Sequence, residues 1–168
     1  MKMLYLVRHA KSSWSHSDLS DKMRPLNERG LNDAPKMGKY LHEKGLMPDA
    51  MISSPANRAL TTAQLIADEL GFDKHNIEVQ SLLYTFTMQV TPLLHFIQQL
   101  PNHYQTVMLF GHNPTFTELA NHFSHDFVAL EIPTCSVVAF QFDTTDWQHA
   151  TSALSKQLLY VYPKMLNG

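Results

Sequence analysis

Six short apolar runs punctuate the chain: Met3 to Val7, Ala50 to Ser54, Ile77 to Val79, Thr106 to Phe110, Ser136 to Phe142 and Leu158 to Tyr162. Runs of this length, rich in Val, Ile, Phe and Tyr and bounded by polar or turn residues, read as strands. Met3 to Val7 and Thr106 to Phe110 are apolar without alternation, the pattern of strands buried on both faces. Ile77 to Val79 is short and is expected at an edge.

Between the strands the apolar spacing changes to that of helices. Leu31, Ala34, Met37, Gly38 and Leu41 recur at helical intervals, and Gly45 stops the run. Asn32 as N-cap would put Pro35 in the first turn, where its missing N–H is tolerated. Ser54-Pro55 reads as N-cap and first residue of a second helix, with Ala59, Ala63, Ile66, Ala67 and Leu70 on its apolar stripe and Gly71 ending it. That start places Arg58 at the fourth helical position. Thr91 as cap and Pro92 as first residue begin a third helix, to about Leu100. Asn113 or Thr115 caps a fourth, to about Phe123. Strands alternating with helices of these lengths predict an α/β fold, a three-layer α/β/α sandwich around a mostly parallel sheet.

Length and composition add limits. A chain of 168 residues is expected to form one domain, 1–168. With 17% charged residues and a formal charge of -2 it lacks the basic excess of a broad nucleic-acid surface. The single cysteine, Cys135, excludes an internal disulfide and fits a reducing compartment. No apolar stretch approaches the ~18 residues of a membrane span. A strand begins almost at Met1, leaving no room for a signal peptide. The expected species is a cytoplasmic monomer, with no nucleic-acid or membrane partner.

The chemistry gathers where strands end. Arg8-His9 follows the first run, Arg58 lies just inside the helix after the second, and His112 follows the run at 106–110. In a parallel sheet those ends share one rim, where ligands of open α/β sheets bind. Two guanidinium forks, two imidazoles and a helix N-terminus suit a phosphoryl group, because arginine matches phosphate oxygens in bidentate geometry. His9 is the expected nucleophile on phosphorus, with Arg8 holding the oxygens.

Five segments carry a resemblance: Leu-Val-Arg-His-Ala-Lys-Ser-Ser-Trp at 6–14, Arg-Pro-Leu-Asn-Glu-Arg-Gly at 24–30, Ser-Ser-Pro-Ala-Asn-Arg-Ala at 53–59, Gly-His-Asn-Pro-Thr at 111–115 and Ile-Pro-Thr at 132–134. With these the sequence resembles the histidine phosphatase superfamily, phosphoglycerate mutase-like in fold, and within it the SixA-like phosphohistidine phosphatases. The resemblance implies that His9 becomes phosphorylated while Arg8, Arg58 and His112 surround the phosphoryl group. It implies that Arg24 reaches the same pocket, and it makes Ser12 and Asn113, inside matching segments, candidate substrate-binding residues. It implies no metal and no cofactor. Attack requires a neutral imidazole, and neighbouring Arg8 and Arg58 are expected to keep His9 neutral.

Two positions differ from the wider family. Ala10 stands where most relatives have glycine, and would be strained at positive φ. No general acid is evident: acid-phosphatase-type members carry an Asp after the second His, here Asn113, and mutase-type members use a carboxylate after the third strand. Between Glu78 and Glu118 there is no Asp or Glu. A general acid is worth roughly 10²–10⁴ in rate. An alkyl phosphate ester needs that help, whereas phosphohistidine leaves as an imidazole that can carry its own proton. The expected substrate is therefore phosphohistidine in a protein, such as a histidine phosphotransfer domain or a phosphocarrier. Two alternatives stand: a broad small-molecule phosphomonoesterase using Asp18 or Asp21 of the long 11–23 loop as acid, or a non-catalytic phosphate-binding regulatory module. His122 and His125 lack a third ligand for a metal, Cys135 reads as a small buried residue near the pocket rim, and Trp14 and Tyr84 are placed to wall the pocket or simply to pack. Met1, Met3, Met23, Met37 and Met47 read as core or tail filler.

Overall fold

The computed structural model describes residues 1–167. Its sheet has six strands: β1 (Lys2–Arg8), β2 (Ala50–Ser53), β3 (Glu78–Val79), β4 (Thr106–Gly111), β5 (Val137–Phe142) and β6 (Ser155–Val161), in the spatial order β3-β2-β4-β1-β5-β6. The pairs β2–β3, β2–β4 and β1–β4 are parallel, and β5 runs antiparallel to both its neighbours. Five α-helices join them: α1 (Glu28–Glu43), α2 (Asn57–Leu70), α3 (Thr91–Gln98), α4 (Thr115–Phe123) and α5 (Pro163–Leu166).

Alternation along the central strands builds a core on each face. Leu4 and Leu6 of β1, with Val107 and Leu109 of β4, pack with Leu93 and Ile97 of α3 and Phe116, Leu119 and Phe123 of α4. Val7 of β1, with Met108 and Phe110 of β4, packs with Met37 and Leu41 of α1 and Ala63 and Ile66 of α2. These strands have no polar face because both faces are covered, which makes the three-layer α/β/α sandwich.

The register sets up the rim. Arg8 lies opposite Gly111, and Ser53 opposite Phe110. One residue further on, the His9 N–H donates to Gly111 O (3.1 Å) and the Ser54 N–H to Phe110 O (3.0 Å). The antiparallel β5 enters from the same side: the Arg8 N–H donates to Ser136 O (3.1 Å) and the Cys135 N–H to His9 O (3.0 Å).

Helix starts differ from the sequence reading. The cap of α1 is Asn27, whose side chain accepts from the Gly30 N–H, so Pro35 lies inside the helix. An interior proline costs about 3 kcal/mol, and a tertiary contact overrides it. The Asn27 N–H donates to Lys11 O at 3.0 Å, and Gly30 sits so close to that carbonyl that a Cβ would lie 2.2 Å from it. The carbonyl deprived of a partner is that of Leu31, a residue that is half exposed rather than in the core. Helix α2 begins at Asn57, with Ala56 as cap, so Arg58 is the second helical residue and not the fourth. Ser54 lies two residues before that cap, at the end of β2, where its N–H donates to Phe110 O. In α3 Val90 is the cap and Thr91 the first helical residue. Met23 and Met47 are exposed, not core. Ala10 is not among the residues with positive φ; Cys135 is, at 60°. No helix among the described residues is long and apolar enough to cross a membrane.

Candidate active site

At the carboxyl ends of β1, β2 and β4 lies a cavity of about 380 Å³. His9, Arg8, Arg58 and His112 line it, and so do Arg24, Ser12 and Asn113. The seven residues singled out in the sequence are thus brought together. A larger concavity, about 490 Å³, between His95 of α3, Asn102 and Asp146 has no lysine or arginine in its lining.

His9 is 7% exposed. Its Nδ1 lies 2.7 Å from the carbonyl oxygen of Ala10. A carbonyl only accepts, so Nδ1 carries the proton and Nε2 keeps its lone pair. The Ala10 peptide is itself held, its N–H donating to Thr62 Oγ1 (2.9 Å), which donates to Arg58 O one turn back in α2 (2.7 Å). Burial, and then the positive charges of Arg58, Arg8 and Arg24, push the His9 pKa down to about 3, against an opposing pull from the Ala10 carbonyl. Neutrality was expected from the arginines; the larger cause is removal from water.

His112 is also sealed, and its ring centroid is 5.2 Å from that of His9. Burial, followed by the proximity of His9 and Arg58, lowers its pKa to about 2. Its Nε2 is 2.8 Å from Ser54 Oγ. Phe86 packs on it, centroids 4.7 Å apart.

The arginines are anchored by one end each. Arg8 donates through Nη1 to Ile132 O (2.8 Å) and faces Glu131 at 3.7 Å. Arg24 donates to Ser12 Oγ and lies under the ring of Trp14, 3.8 Å from its centroid. Arg58, 2% exposed, donates through Nη1 to Asp21 O (2.8 Å) and through Nη2 to Asp21 Oδ2 (3.1 Å). The Nε atoms of Arg8, Arg24 and Arg58, and Nδ1 of His112, are buried without a hydrogen-bond partner among the described residues. Buried donors in native proteins almost always have partners. The four residues that carry these unpaired nitrogens all line the one cavity, which suits an anion rich in acceptors.

Asp21 plays a part that sequence reading did not assign. Its carboxylate takes hydrogen bonds from Arg58, from Arg24 (3.3 Å) and from Tyr84 Oη (2.6 Å). Partial burial opposes its charge, but the bonds from Tyr84 and Arg58, with the arginine charges, outweigh that and hold its pKa at about 2. Its carboxylate thus joins two guanidinium groups, and an acid held ionised at neutral pH is a poor proton donor. The clue in the sequence was its place three residues before Arg24. Trp14 lines the cavity; Tyr84 reaches it through Asp21. Thr134, Phe86 and Lys11 also line it; Lys11 and Thr134 lie inside the matching segments 6–14 and 132–134 without having been singled out, and nothing in the local pattern marks Phe86. Asn113 donates through Nδ2 to Ile132 O (3.0 Å), and its Oδ1 accepts from the Thr117 N–H (3.2 Å) and hydroxyl (3.0 Å), so it ties β4 to α4 at the cavity edge.

Comparison with known proteins identifies the family and the fold. The profile of the family described as histidine phosphatase superfamily (branch 1) matches residues 4–89. The SixA protein of Agrobacterium tumefaciens has a similar structure, with TM-score 0.76 and 26% identity over 96% of this chain and 98% of that one. A structure described as the protein histidine phosphatase SixA complexed with tungstate superposes with TM-score 0.80 at 20% identity, over 98% and 99% of the two chains, and so shares the fold. A chloroplastic protein of Arabidopsis thaliana is 28% identical over 155 residues, 89% of this chain and 70% of its own length. A 2,3-bisphosphoglycerate-dependent phosphoglycerate mutase of Bradyrhizobium is 39% identical over 72 residues, 42% of this chain and 35% of that enzyme.

Proposed function

Since the chain belongs to the histidine phosphatase superfamily (branch 1), we propose that it is a phosphatase, that its substrate is phosphohistidine in a protein, and that the reaction passes through phospho-His9. The observation that carries this reading is the state of His9: Nδ1 committed to the Ala10 carbonyl, Nε2 free, and the ring neutral. Nε2 attacks phosphorus in line. The bond from phosphorus to the substrate's ring nitrogen breaks, and the departing imidazole keeps the proton on its other nitrogen. Charge on the equatorial oxygens meets the guanidinium groups of Arg8, Arg24 and Arg58 and the ring of His112. Water then attacks phospho-His9, releasing inorganic phosphate and restoring neutral His9. Each step uses side chains that line the cavity.

The substrate class follows from the acid that is missing. Asp21 is the carboxylate within the cavity lining, and it is held ionised. An alkoxide leaving without protonation forfeits roughly 3–5 kcal/mol of barrier lowering; a protonated imidazole needs no such help. The exposed apolar side chains at the mouth, Trp14 at 76% and Phe86 at 43%, suit a substrate carried on a protein surface, such as a histidine phosphotransfer domain or phosphocarrier. The test is dephosphorylation of a phosphohistidine protein, with His9→Ala as control. Turnover lost in the variant, and acid-labile, alkali-stable phosphate trapped on the wild-type enzyme, are the expected results. Phosphate on a serine or carboxylate rejects the reading. Faster turnover of an alkyl phosphate than of the phosphoprotein favours the phosphomonoesterase instead.

A further inference from the structure

Ser54 was expected to cap α2 and does not. It is fully buried at the end of β2, and its hydroxyl meets His112. The hydroxyl oxygen accepts from the Ala56 N–H (3.2 Å) and lies 2.8 Å from His112 Nε2. Among the described residues no other acceptor stands within reach of the hydroxyl proton. If Nε2 carried the ring proton and donated to Ser54, the serine oxygen would take two donors and its own proton would be buried without an acceptor, which is costly. The consistent assignment has the Ser54 O–H donating to a bare Nε2. A neutral imidazole has one N–H, so the proton of His112 is then on Nδ1, the atom that is buried and unpartnered.

We propose that Ser54 is a positioning residue that fixes His112 as its Nδ1–H tautomer, so that His112 offers a hydrogen bond, and not a lone pair, to an oxygen of the bound phosphoryl group. The opposite tautomer would turn a lone pair toward an anion. His9 is fixed in the same tautomer by a different partner, the Ala10 carbonyl, and is used in the opposite sense: its Nε2 lone pair is left free to attack. Two neutral imidazoles 5.2 Å apart thus serve as nucleophile and donor, each assigned by a fixed neighbour. The donor role rests on the phosphatase reading above; the tautomer assignment does not.

The experiment is ¹⁵N–¹H correlation spectroscopy of the imidazole nitrogens in the unliganded protein at neutral pH, with inorganic orthovanadate as the oxyanion probe. Wild type should show His112 Nδ1 as protonated and Nε2 as unprotonated. Ser54→Ala should lose that preference, bind orthovanadate about tenfold more weakly and lose about tenfold in kcat, while Ser54→Thr, which keeps the hydroxyl, restores all three. A merely structural role for Ser54 would leave the ring nitrogen shifts unmoved. The proposal is overturned if wild type, needing no substitution, shows protonated Nε2, or if Ser54→Ala keeps the wild-type tautomer or the wild-type orthovanadate affinity. Absence of turnover on any phosphorylated substrate, with the tautomer and orthovanadate results as expected, overturns the phosphatase reading and leaves the assignment of His112 supported.

Discussion

The protonation state of His9 can be read from the stability of the fold. His9 and His112 are buried and neutral, with pKa values pushed from 6.5 to about 3 and about 2. In the unfolded chain both return to about 6.5. Below that value the unfolded state therefore binds more protons than the folded one, and stability falls with pH. The contribution is complete above pH 6.5 and is lost progressively as pH drops toward the folded values. Between pH 7 and pH 5 the loss is about 2 kcal/mol for each imidazole, about 4 kcal/mol for the pair, against a total stability of roughly 5–15 kcal/mol. With a urea dependence of about 2 kcal/mol/M, the unfolding midpoint should drop by about 2 M. The assay is urea unfolding at the two pH values, for wild type and for the His9→Gln, His112→Gln double variant. The other eight histidines are exposed, so the double variant should lose most of the drop. An equal fall in both proteins would refute the argument that these two rings are held neutral, and with it the free lone pair on His9.

Three other substitutions probe the surroundings of that pair. Asp21→Asn should lower kcat on a phosphohistidine protein by less than tenfold, because the residue orients Arg58 and Arg24 and transfers no proton; a fall of 10² or more would return it to the role of general acid. Thr62→Val leaves the buried Ala10 N–H without an acceptor, and should cost about 1–3 kcal/mol in urea unfolding and reduce the rate of His9 phosphorylation. Gly30→Ala puts a methyl 2.2 Å from Lys11 O, which should displace the 11–23 loop, raise KM several-fold and cost about 1–3 kcal/mol, with helical circular dichroism retained.

Much of this site could be read before any coordinates because its parts hang on strands. Met3 to Val7 and Thr106 to Phe110 are covered on both faces, so their sequences are unbroken apolar runs, and the polar residues that end them stand out. Arg8-His9 and His112 are those residues, and sheet register brings them level. Elements whose ends depend on remote contacts were harder. The start of α1 is set by Lys11 O, sixteen residues before the cap Asn27, and a proline pointed to a later start. Ser54 carries a helix-cap signature, but α2 starts two residues later, after Ala56, and the Ser54 hydroxyl meets His112 instead. The direction of β5 left no trace in Val137 to Phe142, since a strand covered on both faces reads alike either way. Asp21 was visible as a nearby carboxylate, but only the positions of Arg58 and Tyr84 reveal that its charge is already spoken for.

The chain has two tryptophans, in unlike settings. Trp147 is sealed, its indole N–H donating to Tyr104 O (2.9 Å) and the Lys2 ammonium 5.7 Å from its ring. Trp14 is three-quarters exposed and lies flat on an arginine that faces the cavity. Their fluorescence should therefore separate into a steady short-wavelength component and a longer-wavelength one sensitive to whatever draws that guanidinium inward. The protein carries its own optical gauge of occupancy at the cavity mouth, and a titration followed by emission would need no added dye.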